Sequence, residues 1–142
     1  MGKALLICQV EAALATGNEL NLFGALTNST TEAQTQVEAS EAMTISNLRA
    51  RILSGGSGTN NFQFRNNGAN GSQLASRAGT GDAEDAVNTD VLAAGDDFNV
   101  AYTDDGTDST CAWLAANVAF SSGHGNLHLA AGVGGVVYDV AS

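Results

Sequence analysis

Few residues in this chain are equipped for chemistry. His124 and His128, in HGNLH, stand four apart, a spacing that on a helix puts two imidazoles within reach of one metal ion. Their surroundings are glycine-rich, and Leu127-His128-Leu129 reads as a strand. Four apart on a strand they share a face but lie about 13 Å apart by the strand rise, too far for one ion. Asp104-Asp105-Gly106-Thr107-Asp108 resembles a fragment of a calcium loop. It lacks the full spacing and the distal bidentate glutamate, and Asp and Gly are also the residues of tight turns. Asp82, Glu84 and Asp85 take the same two readings. No serine sits in a G-x-S-x-G elbow, and neither Cys8 nor Cys111 has an adjacent histidine. The Gly55-Gly56-Ser57-Gly58 loop has no following lysine to make a phosphate cradle. Nothing fills the nucleophile, base and stabiliser roles together. The expectation is a protein that is not an enzyme, with no catalytic residue, cofactor or metal assigned.

What remains is surface. Arg49 and Arg51 alternate with Leu48, Ala50 and Ile52, and Arg65 alternates with Phe62 and Phe64. They belong to the face opposite the core, and Arg77 is a candidate to join them. A solvated outer face is the ordinary reading of such a pattern. Charge is scarce here, however, at 14% of residues, and arginine is the basic residue most used in interfaces. An outward stripe of Arg49, Arg51, Arg65 and Arg77 meeting the acidic half of a neighbour would build a ring, most simply a trimer.

The totals fit that picture. A chain of 142 residues suits one domain with its own core. Net charge is −10, and every base lies before residue 78. From there on the chain holds Asp82, Glu84, Asp85, Asp90, Asp96, Asp97, Asp104, Asp105, Asp108 and Asp139 with no Lys or Arg. Such a field repels phosphate backbones, so no nucleic-acid partner is expected. No apolar run reaches the roughly 18 residues of a membrane span. The apolar start is interrupted by Gln9 and Glu11 and reads as part of the fold or as an arm. Cys8 and Cys111 read as free buried thiols, with pairing left open.

The elements that must carry these residues read as strands. Residues 42–68 organise the rest. Met43 and Ile45 set a period of two. The beat slips by one at Asn47, and Leu48, Ala50 and Ile52 take it up, which predicts one long bulged strand. Phe62 and Phe64 mark its partner strand, closed by Asn66-Asn67-Gly68, a turn that tolerates φ > 0. Clear alternation recurs at Phe98, Val100, Tyr102 and at Leu114, Ala116, Val118, Phe120. Residues 4–10 read as a short strand or docking arm, 11–15 as a helical turn, 32–38 as a lightly buried strand, 79–85 as a loop and 87–92 as a strand. About eight strands separated by turn signals predict an all-β fold. The architecture expected is an antiparallel β-sandwich, jelly-roll or Greek-key, with extended N- and C-terminal segments. The divisions expected within a single 1–142 domain are an arm or strand at 1–24, a core sandwich at 42–120 and a Gly-rich segment at 121–142.

The order of motifs, "ISNLRARI", then "RNNGANGSQLA", "GTGDAEDAVNTDVLAAGDDFNVAYT" and "WLAANVAF", resembles a jelly-roll module of tailed-bacteriophage virions. That module occurs in small head-decoration (cement) proteins and in fibre or baseplate tips. The resemblance covers a little over half the chain and rests mainly on "NG" and "AAGD" turns. It implies a trimeric knob, without catalytic residues, seated on the capsid exterior against the major capsid protein. The stretch before residue 42 has no heptads or collagen-like repeat, which favours a cement protein over a fibre tip. The alternative is a receptor- or carbohydrate-binding tip, with Trp113, Tyr102 and the Asp-rich turns lining a shallow sugar site. Trp113 is out of phase with Leu114, Val118 and Phe120. It therefore faces outward or fills the second face of a doubly buried strand.

Overall fold

Residues that alternate in polarity can bury one face only by laying it against a second sheet, and the chain does so. The computed structural model describes residues 3–22, 24–25, 28–54, 58–106 and 108–121, with side chains for 13–22, 28–54, 58–106 and 108–121. The strands are β1 (Lys3–Leu14), β2 (Asn18–Leu20), β3 (Gly24–Ala25), β4 (Asn28–Ser29), β5 (Val37–Glu38), β6 (Met43–Ser54), β7 (Thr59–Asn66), β8 (Ala69–Ala78), β9 (Gly81–Leu92), β10 (Asp97–Asp104) and β11 (Ser109–Phe120). One sheet runs β3-β1-β11-β6-β9 and the other β4-β2-β10-β7-β8, with β5 also against β10. The two sheets pack face to face as an all-β sandwich.

The pairing has a simple origin. β7 turns straight into β8, and outward from that hairpin β6 pairs β9, β2 pairs β10 and β1 pairs β11, all antiparallel. The chain is thus one doubled ribbon. Rolling it lays β11 against β6 and β10 against β7, and the result is a jelly roll. The hairpin at its centre is the predicted one. Asn67 and Gly68 have φ of 49° and 77°, both positive, as a type I′ turn requires.

The core takes the alternating residues. Ile45, Leu48, Ala50 and Ile52 from β6, Phe62 and Phe64 from β7, Val100 and Tyr102 from β10, and Leu114, Ala116 and Val118 from β11 are all at most 1% exposed. Phe62 meets Tyr102 with ring centroids 5.2 Å apart, and Phe64 stacks on Phe98 at 6.1 Å. Leu14, Leu20, Leu22 and Ala39 are also fully buried, so the sandwich takes in residues well before 42.

Four local expectations change. β6 and the Phe62–Phe64 strand do not pair: β6 pairs with β9 and β11 in the first sheet, and β7 with β8 and β10 in the second. Residues 11–14 continue β1, since β11 offers Leu14 and Ala13 partners at Ser109 and Thr110. Residues 32–38 form a 3-10 turn, Glu32–Gln34, before the short β5. The acidic stretch 81–85 is strand, the first part of β9.

Candidate functional site

Asn47 slips the period of β6 because it takes φ 55° and stands extra. Ala115 and Asn117 of β11 face Arg49 and Ser46, leaving Asn47 and Leu48 against the single Ala116. On the other side, residues 86–88 of β9 stand opposite Asn47. A third irregularity lies in β8, where 71–73 stand opposite Phe64. All three meet at Gln73, whose side chain is fully buried. Its Oε1 accepts from Leu48 N–H at 3.0 Å, and its Nε2 donates to Ile45 C=O at 3.2 Å. One carboxamide therefore satisfies backbone groups that the bulge releases, which unpaired would cost about 1–3 kcal/mol each.

The same corner closes the gap between the sheets' edges. Asp90 of β9 accepts from Ser72 N–H and Gln73 N–H at 2.6 and 3.1 Å. Asp85 accepts from Leu74 N–H at 2.8 Å and from Val87 N–H, Asn88 N–H and Asn88 Nδ2 at 2.9–3.1 Å. Burial acts to raise the Asp85 carboxyl, but the hydrogen bonds from Asn88, Leu74 and Val87 prevail and hold it at about 2. Gly71 is needed here, because a Cβ on it would come within 2.6 Å of Asp90 Oδ1. Two carboxylates thus occupy backbone donors that an edge strand would otherwise offer to another chain.

The arginines divide between the two sheets. On the outer face of the first sheet, Arg49 pairs with Glu84 at 2.8 Å and Arg51 with Asp82 at 3.0 Å, both well exposed. Such pairs contribute about 0–1 kcal/mol. Arg65 lies on the second sheet, half-buried, and grips both oxygens of Glu32 at 2.7 and 3.2 Å. Arg77 donates to Thr80 C=O at 2.8 Å. Arg49 and Arg51 therefore share one outer face while Arg65 serves another, where it pins the 3-10 turn over β10. Beneath that turn, buried Asn99 donates to Glu19 Oε2 and Thr35 Oγ1. Burial, then the nearby Glu32, raise the Glu19 carboxyl.

The remaining sequence candidates fall elsewhere. Tyr102 is fully buried, with Oη 2.6 Å from Asn60 Oδ1 and 2.9 Å from Asp104 Oδ2. It cannot line a sugar site. Asp104 and Asp105 spend carboxylate oxygens on Gly106 N–H and Thr59 N–H, closing the turn. Among the described residues no group of three or more His, Cys, Asp or Glu is placed to hold a metal. His124 and His128 lie outside the described residues. Cys111 is a free buried thiol, raised by burial to about 11. Register sets Cys8 opposite Leu114 and Cys111 opposite Ala12, so the two cysteines are not cross-strand partners. Trp113 is half-buried on β11, between Gln9 of β1 and Arg51 of β6.

No family model matches the chain, and no curated protein matches it. Among the described residues no helix is long and apolar enough to cross a membrane.

Proposed function

We propose that this is a structural virion protein, a head-decoration (cement) protein that trimerises on the capsid exterior and stabilises the shell by bridging major capsid subunits. The jelly-roll order, with each strand of the sequence motifs in its place along the rolled ribbon, carries this reading. It supplies the scaffold that the resemblance implies. The mechanism is area and multivalency: a trimer engages several capsomers at once, so weak individual contacts sum to firm attachment. The outer face of the first sheet, with Arg49, Arg51 and Trp113, is the proposed contact between protomers. The proposal keeps Arg65 and Arg77 as secondary contacts on the second sheet.

The test is binding. The protein should co-sediment with purified phage shells that lack their decoration and should raise their disruption temperature. Failure to bind any such shell removes the reading. A second reading, a receptor- or carbohydrate-binding tip, has one observation in its favour: Trp113 presents a partly open ring on a sheet surface, a shape on which sugars stack. It predicts binding to cells or glycans that Trp113→Ala abolishes. Retained glycan binding in that variant would remove Trp113 from the reading.

A further inference from the structure

Among the described residues β9 is the last strand of the first sheet, beside β6, and its two halves carry different chemistry on the outer face. In the first half Asp82 stands beside Arg51 and Glu84 beside Arg49, each acid paired with its neighbour. In the second half Thr89 stands beside Ser46 and Val91 beside Thr44, with no charge among them. Val91 is 70% exposed, and Val87, in the irregular stretch between the halves, is 87% exposed. The acids of this half, Asp85 and Asp90, are at most 9% exposed. They accept from backbone N–H groups of β8 and of β9 itself. A corner whose donors are spent in this way offers a partner its side chains rather than a strand edge.

Two open valines on a polar sheet surface mark a contact, and charge points to its occupant. Each copy carries −10, so copies repel wherever unpaired acids face each other. A rotation axis is the most demanding place, because every residue beside it meets its own counterparts. Asp96 and Asp97 ahead of β10, or Asp104 and Asp105 at its far end, would gather like charges there. Valine gathers valine, and interface cores are depleted of charge. The paired half of β9 fits the same axis. Seen along it, each copy shows a column of acids on β9 and a column of arginines on β6, about 4.8 Å apart. Three copies in a ring make these columns alternate, so each acid column lies between its own arginines and those of the next copy.

We infer that the three-fold axis of the oligomer runs along β9, with Val87 and Val91 of the three copies packed on one another and Arg49 and Arg51 of each copy reaching the acids of the next. The inference rests on the oligomeric part of the decoration reading and places its axis.

Sedimentation and cross-linking test it. The full chain should sediment as a trimer, and the chain carrying Val87→Lys and Val91→Lys as single copies. Leu74→Lys, at an exposed apolar position on the second sheet, should keep the trimer. Circular dichroism would verify that each remains β. Oxidised Val91→Cys gives a second readout. A disulfide needs Cα atoms within about 7 Å, and one thiol makes one bond. A denaturing gel without reductant should therefore show a two-copy band and no three-copy band, and the parent chain and Leu74→Cys should show neither. The inference is overturned by an oligomer that the paired lysines leave intact, by one that Leu74→Lys dissolves as well, by the absence of the two-copy band, or by a full chain of single-copy mass. Shell binding, measured in parallel, separates the two claims. Shells that take up the full chain while the paired lysines leave the trimer intact sink only the axis. Shells that refuse a trimer which the lysines dissolve sink only the decoration role. A lysine variant that stays trimeric but loses its shell binding assigns the valines to the shell and overturns the inference.

Discussion

Gln73 shows what a single residue settles in this fold. Its carboxamide joins β6, β8 and β9 through Leu48 N–H, Ile45 C=O and Asp90. Gln73→Ala would leave buried groups unpaired and open a void, and should cost about 3 kcal/mol in denaturant unfolding. A loss near zero would mean the bulge closes without it. Arg49 and Arg51 belong at the other extreme, with exposed partners on the neighbouring strand. Reversing both should change stability by less than about 1 kcal/mol per pair. If the proposed contact is right, it should also lower the oligomer mass seen by light scattering; an unchanged mass takes these residues out of the contact. The sequence distinguishes these cases poorly. A glutamine among polar strand residues reads as surface, because only its own bulge and those of β6 and β9 reveal its partners.

The elements were legible wherever one face is plainly apolar. The phase slip at Asn47, the Asn67-Gly68 hairpin and the alternation of β10 and β11 all reappear as read. β9 was obscured because its inward positions include Asp85 and Asp90 among Ala83 and Leu92. Inward carboxylates look like a solvated loop until the β8 donors they accept from are in view. Residues 11–14 lacked a signal because their strand state is set by β11, a partner almost a hundred residues away. The β9 corner also gives the fold a pH dependence. Asp85 sits at about 2, below the ordinary aspartate value near 3.9. Its contribution is present above that ordinary value and is lost as pH falls through about 2. The loss is on the order of 2 kcal/mol. Asp85→Asn should flatten that part of the acid-unfolding profile, and a slope identical to the parent would show that other groups set it.

At the scale of the molecule, sheet class and sandwich architecture follow from period two and turn chemistry alone. The pairing of β6 with β9 and β11 instead of β7 does not, since local patterning cannot say whether a loop closes a hairpin or crosses between sheets. Rolling the ribbon fixes that. At the β8–β9 corner the backbone donors of β8 are capped by the carboxylates of Asp85 and Asp90. With Arg49, Arg51 and Trp113 on the outer face of the first sheet, the protein is proposed to work by adhering to copies of itself and to a shell. The most direct measurement is the sedimentation mass of the full chain in solution. The account predicts three times the 14.3 kDa of one copy. A stable mass of a single copy at micromolar concentration would contradict it.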